Sequence, residues 1–221
     1  MNKIRVIVTG ATGMVGEGIL HECLQHPAVE AVLIINRKPS GKTHPKLKEI
    51  IHANFFDLSA IQQELTGYDA CYFGLGVSSV GMKEPEYTRM TYDLTMHTAT
   101  TLSRLNSGMV FCYVSGAATD STEKGRSMWA RVKGKTENDL MKLSFRRAYM
   151  FRPGYMHPTP GLQNTLKGYR YITWMYPLLK VLMPGSVSTL ADLGRAMINC
   201  TLTGYDKQIL EVKDIKAVAV K

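Results

Sequence analysis

Residues 4–16 read IRVIVTGATGMVG, and they constrain the fold more than any other part of the chain. The run from Ile4 to Thr9 is short, apolar and β-branched, as expected of a strand buried on both faces of a parallel sheet. A helical pattern, MVGEGILHECLQH, follows at once and is stopped by Pro27. Glycines stand at 10, 13 and 16 between the two. Gly10 suits a tight turn, Gly13 lets an anionic group approach the main chain, and Gly16 lets helix and strand pack closely. Strand, glycine turn and helix in this order form a pyrophosphate-binding turn at a helix N-terminus. Thr9, Gly10, Thr12, Gly13, Met14, Val15 and Gly16 are therefore expected to hold a dinucleotide.

The alternation continues. AVLIIN (31–36) reads as a second strand, EIIHANF (49–55) as a third, and a short helix is expected near 59–66. DACYFGLG (69–76) reads as strand four, 84–106 as a long helix, GMVFCYVS (108–115) as strand five, the segment around SMWARVKGKTEN (127–138) as a helix and RAYMFRPG (147–154) as strand six. Strand–helix pairs in this order predict an α/β fold, a Rossmann-type doubly wound parallel sheet, with ligands beyond the strand C-terminal ends. Past Pro153 prolines recur and aromatic residues cluster in YRYITWMYPLL (169–179), before an amphipathic helix at STLADLGRAMINCTL and a last strand at QILEV. We expect one domain over 1–221, with 155–206 forming a small C-terminal lobe on the substrate side. The aromatic segment 169–183 is expected to be buried against the domain or against a second copy in a homodimer, and not to bind lipid.

The second strand ends in Asn36-Arg37-Lys38, where a site for NAD usually carries an Asp or Glu for the ribose 2′-hydroxyl. Asn36 does not repel a phosphate and Arg37 can accept one in a bidentate fork, so NADP(H) is the expected cofactor. The alternative for Arg37 is a solvated loop side chain. Gly74 and Gly76, in GLG at the end of strand four, either let the backbone approach adenine and ribose or form a plain turn.

The TGxxGxxG pattern at Thr9, Gly10, Gly13 and Gly16, with the element order over the first ~155 residues, resembles the short-chain dehydrogenase/reductase superfamily, and within it the atypical or extended, epimerase-like branch. VKGKTE followed by FRPG is similar to the oxidoreductase-like relatives of the HIV Tat-interacting protein. The resemblance implies an adenine contact at Asp57, with Leu58 beside it, although Asp57 also suits a helix N-cap. It implies a carbonyl-polarising role for Ser115, otherwise a turn residue, and a cofactor contact at Pro153. It implies that Lys133 holds the nicotinamide ribose and lowers the pKa of a tyrosine one helical turn earlier. Trp129 occupies that tyrosine position. An indole N–H donates a hydrogen bond but has no proton equilibrium near neutral pH. Three readings follow: hydride transfer with the proton from water or another residue, cofactor binding with little catalysis, or a different register. Tyr113, Tyr155 and His157 are the substitute donors, or else pocket walls.

The expected function is an NADP(H)-dependent oxidoreductase, a reductase or dehydrogenase of a small carbonyl or alcohol substrate. A non-enzymatic NADP(H)-binding sensor or scaffold is the alternative, and a sugar-nucleotide epimerase is less favoured because the C-terminal lobe is small. The formal net charge of +9 is spread over short groups in different elements without a nucleic-acid motif, so no nucleic-acid partner is expected. Cys23, Cys71, Cys112 and Cys200 lack CxxC or metal-ligand spacing and read as reduced core thiols. No secretory leader and no run of roughly 18 apolar residues is recognised. The expectations are no metal, no membrane partner and a cytoplasmic location.

Overall fold

The computed structural model describes residues 3–164 and 176–220. Strands β1 (Ile4–Thr9), β2 (Val29–Asn36), β3 (Leu47–Ile51), β4 (Ala70–Phe73), β5 (Val110–Val114), β6 (Arg147–Arg152) and, late in the chain, β9 (Ile209–Glu211) form one sheet in the order β3-β2-β1-β4-β5-β6-β9. Every pairing in it is parallel. The order reverses between β1 and β4, which puts the crevice for a ligand beyond the C-terminal ends of those two strands.

Alternation along β1 explains the two cores. Val6 and Val8 point to one face and Ile7 to the other, and all three are fully buried. The Val6 face packs with α1 (Met14–Gln25), α6 (Leu190–Thr203) and α7 (Val212–Ala219), where Ile19, Leu193, Met197 and Ile215 are buried. The Ile7 face packs under the 3-10 turn Ser59–Leu65 and α3 (Leu94–Leu105), through Leu65, Leu102 and Phe111. Burying each such aliphatic side chain is worth about 1.5–3 kcal/mol, so both faces are fixed by the strand pattern alone. All four cysteines are buried in these cores.

Several boundaries differ from the sequence reading. The third strand ends at Ile51, because His52–Asn54 turn around a histidine that hydrogen-bonds the carbonyls of Asn54 and Asp57. The long helix is α2 (Glu84–Thr88), one π turn (Arg89–Asp93) and α3 in continuous succession. A second sheet pairs β7 (Tyr155–His157) with β8 (Val187–Thr189), and α7 follows β9 directly; neither was expected. Within 155–206, α6 opens with a capping box between Thr189 and Asp192 and lies in the helical layer beside α1. What stands apart from the central sheet is therefore β7, β8 and α5 (Tyr176–Leu182).

The expectation that 169–183 is buried against its own domain is corrected over 176–183. Residues 169–175 lie outside the described residues. Of the rest, Tyr176 stacks on His157 and Leu179 is half-buried, but Leu178, Val181, Leu182 and Met183 face solvent. A seven-residue helix fixed along one stripe leaves its opposite stripe uncovered.

Candidate active site at the C-terminal end of the sheet

The turn after β1 is shaped by steric necessity. Gly10 has φ +72°, and a Cβ there would lie 2.7 Å from the Gly74 carbonyl oxygen at the end of β4. A Cβ on Gly16 would collide with the Gly10 carbonyl, so β1, α1 and β4 meet at main-chain distance only because both are glycine. Gly13 N–H donates to Gly10 O at 2.9 Å, and the first helical bond of α1 is Glu17 N–H to Gly13 O at 2.8 Å. That geometry leaves the N–H groups of Met14, Val15 and Gly16 without intrahelical acceptors, and Gly13 brings no side-chain cap. The hydroxyl of buried Thr9 also lacks a partner among the described residues. A cluster of unpaired donors at the positive end of a 12-residue helix fits the pyrophosphate of a nicotinamide dinucleotide.

Beside this turn opens a cleft of about 590 Å³ lined by Thr12, Arg37, Lys38, Ser40, Lys42 and the 163–164 turn. Among the described residues no carboxylate lines it. Asn36 is buried and its amide donates to Glu49 Oε1 at 2.7 Å, while Ser40 N–H donates to the same oxygen at 2.8 Å. Glu49 thus props the 37–40 loop in the pose that presents Arg37. Glu17, buried in the first turn of α1, accepts from Lys42 Nζ (2.8 Å), Gln163 N (3.2 Å) and Asn164 N (2.7 Å). Burial pushes its pKa up, but these donors more than offset that, and it lies below the usual range. Sequence reasoning passed over Glu17, although a carboxylate on the apolar face of an amphipathic helix was a visible signal.

Arg37 also borders a second, smaller cleft of about 100 Å³, lined by Asn54, Phe55, Phe56, Gly76, Met90 and Leu94. It suits a flat apolar ring such as adenine, and Arg89 lies over the Phe56 ring at 5.4 Å from its centroid. Asp57 and Leu58 do not line it. Asp57 is exposed and its Oδ1 accepts Ser59 N–H at 3.0 Å in an Asx turn, while the N-cap of the 3-10 turn is Leu58, which is buried in the core. Gly74 serves the close packing of β1 and β4, whereas Gly76 reaches the cleft.

The far end of the crevice is bounded by α4 (Met128–Leu140), which begins after β5 and carries Trp129 and Lys133 one turn apart. Lys133 Nζ donates to Ser115 O at 2.5 Å and Val114 O at 3.3 Å and lies 5.8 Å from the Tyr113 ring centroid. Burial lowers its pKa to about 8, against the opposing charge of Glu137. Ser115 is buried and its hydroxyl donates to Phe151 O at 3.1 Å, so its proton is spent on β6. The residue facing the indole is Gly116: a Cβ built there would lie 3.9 Å from Trp129 Cζ3. Pro153 is buried at the end of β6, its carbonyl accepting Ala117 N–H at 2.9 Å.

Of the substitute proton donors, Tyr113 is enclosed in the core and burial drives its pKa far up, which removes it from proton transfer. Tyr155 and His157 lie half-buried on β7, and burial lowers the pKa of His157. The VKGKTE and FRPG segments meet through structure: Glu137 is fully buried and holds Arg152 through its Nε at 3.1 and 3.2 Å and through Nη2. Gly134 lets α4 close on the main chain of Asp120. Glu137 and Gly134 therefore position α4, and with it Trp129 and Lys133.

Known proteins resemble this chain in sequence and in fold. Residues 6–124 match the NAD dependent epimerase/dehydratase family. The mitochondrial protein FMP52 of Candida albicans is 25% identical over 217 residues, spanning 92% of each chain. The Aspergillus fumigatus protein of that name is 28% identical over 156 residues, covering 67% of this chain and 65% of its own. Since these fungal relatives are named as mitochondrial, the expectation of a cytoplasmic location does not stand. Among solved structures, uronate dehydrogenase from Agrobacterium tumefaciens superposes with a TM-score of 0.68 at 16% identity, over 95% of this chain and 76% of that one. The Bordetella bronchiseptica enzyme WbmG in complex with NAD gives 0.67 at 13%, over 99% and 78%. These likenesses carry the fold, and with the family match over the glycine turn and β1–β5 they lead to one conclusion: the chain belongs to the NAD dependent epimerase/dehydratase family.

Proposed function

We propose that the protein is an NADP(H)-dependent oxidoreductase of a small carbonyl or alcohol substrate whose proton-transfer site has been altered at Trp129. The observation that carries the cofactor preference is the cleft of Arg37, Lys38, Ser40 and Lys42 beside Thr12, which offers cations and hydroxyls and no lining carboxylate where a 2′-phosphate would sit. WbmG is described with NAD, so the preference rests on this chain's own residues. The likeness of VKGKTE and FRPG to Tat-interacting oxidoreductases supports a reductase over an epimerase.

A bound dinucleotide would supply or accept the hydride. Met14, Val15 and Gly16 N–H groups would hold its phosphates, the Phe56–Met90 cleft its adenine, and Lys133 its nicotinamide ribose. Trp129 would wall the reacting face and donate at most a hydrogen bond. A second reading, an NADP(H)-binding sensor with little turnover, is favoured by that same indole and by the enclosure of Tyr113.

Titration calorimetry with both cofactors tests the assignment. NADPH should bind more tightly than NADH, and Arg37→Asp should reverse the order, costing NADPH about 1–3 kcal/mol. Equal dissociation constants in the parent protein overturn the NADP(H) assignment.

A further inference from the structure

The loop from Arg37 to Lys42 forms one wall of the cleft of about 590 Å³, and two carboxylates outside the lining hold it in place. Glu49 fixes its start by accepting from Asn36 Nδ2 and Ser40 N–H. Glu17 fixes its end, where Oε1 accepts from Lys42 Nζ at 2.8 Å. Lys42 reaches back to α1 because Gly41, at φ +69°, turns the chain through the left-handed region, and Lys42 N–H closes that turn on Ser40 Oγ at 3.3 Å. A Cβ on Gly41 would meet nothing within 4 Å, so backbone conformation rather than space calls for glycine there.

The three cations of the cleft are thereby unequal. Arg37 and Lys38 are exposed, and among the described residues neither forms an ion pair. Lys42 keeps 29% of its side chain exposed against 1% for Glu17, so the ammonium belongs to the cleft wall and the carboxylate is buried behind it. Of its three N–H donors Glu17 takes one, which leaves two for an anion. Glu17 also accepts from Gln163 N–H at 3.2 Å and Asn164 N–H at 2.7 Å, and both of those residues line the same cleft. With three donors around it, the carboxylate does not act on the cleft as a bare negative charge.

We propose that Lys42 is the second cation of a 2′-phosphate site and that Glu17 is the residue that positions it, so that the preference for NADPH over NADH depends on this pair as well as on Arg37. The inference rests on the NADP(H) reading above and names the residues beyond Arg37 that enforce it. A mobile lysine loses rotamer freedom when it meets a phosphate, whereas Lys42 is already ordered by Glu17, and a preorganised donor binds more tightly than a mobile one. The phosphates common to both cofactors fall to the α1 turn. An effect transmitted through Lys42 is therefore confined to the 2′-phosphate.

The test is titration calorimetry of the full chain with NADPH, NADH and adenosine 2′,5′-bisphosphate, beside a thermal melt of each variant. Lys42→Met keeps the apolar stem and should weaken NADPH and the bisphosphate about tenfold while NADH affinity is unchanged. Glu17→Gln keeps an oxygen for the main-chain donors but releases the lysine, and it should weaken the same two ligands about fivefold, again sparing NADH. The double variant should match Lys42→Met alone, because both changes act through one contact, and Lys42→Arg should retain the NADPH preference. A parent that prefers NADPH while Lys42→Met keeps the same preference overturns the inference and leaves Arg37 as the determinant. Glu17→Gln weakening NADPH and NADH alike, or losses that add in the double variant, overturns the positioning role. Equal binding of NADPH and NADH by the parent instead overturns the NADP(H) reading itself, and the inference with it. Should Glu17→Gln fail to fold, Lys42→Met and Lys42→Arg still decide the matter.

Discussion

The helices α1 and α4 both start beyond the C-terminal end of a central strand, β1 and β5, yet they are built by different means. The α1 turn is made of main chain: Gly10, Gly13 and Gly16 bring three backbones together and leave N–H groups unpaired. The α4 turn is made of side chains: Lys133 is pinned to two carbonyls, Glu137 to Arg152, and Trp129 stands one turn before Lys133, where the proposed function has it replace a phenol. On the proposed function the α1 turn would hold the phosphates and the α4 turn the nicotinamide ribose and the reacting face, so a change at Trp129 could alter turnover while the phosphate site is kept.

The largest way to break that contrast is on the α1 side. Gly16→Ala places a methyl group against the Gly10 carbonyl, so the turn must open. We expect about 3 kcal/mol of lost stability together with loss of NADPH binding, read by denaturant unfolding and calorimetry. A variant that melts and binds as the parent does would show that the turn adjusts freely and that sterics do not define this half of the site.

A smaller effect sharpens the α4 side. Burial lowers the pKa of Lys133 to about 8, so its ammonium is present below that pH and lost as pH rises through it. NADPH affinity should weaken on raising the pH through about 8. Lys133→Ala should weaken binding by about 1.5 kcal/mol at neutral pH and remove the inflection. A pH-independent affinity in the parent, or an unchanged one in Lys133→Ala, would mean that α4 does not contact the cofactor.

The same contrast explains what was legible in the sequence. The glycine turn, the parallel sheet and the place of Trp129 one turn before Lys133 follow from local spacing, and the structure has them where they were expected. The clefts did not follow, because Phe56, Gly76 and Met90 come from three separate segments and converge only after the sheet is assembled. Asp57 shows the limit of motif reading: its position suited both a cap and an adenine contact, and its Oδ1 instead accepts Ser59 N–H in an Asx turn beside an N-cap at Leu58. Ser115 shows another, since a hydroxyl at a strand end can turn toward the neighbouring strand, as it does toward Phe151. The exposure of α5 was illegible because its aliphatic spacing is also that of a buried helix.

The most direct test of the central claim is stopped-flow reduction of a generic carbonyl by the preformed NADPH complexes of the parent and of Trp129→Tyr, with calorimetric affinities on the same samples. NADPH affinity should match in the two proteins, turnover by the parent should be slow, and Trp129→Tyr should raise it by as much as about 10²-fold, the lower end of what general acid–base catalysis contributes. Fast reduction by the parent, abolished in Tyr155→Phe or in a His157→Gln variant, would contradict it by placing the proton donor on β7 and making Trp129 a wall.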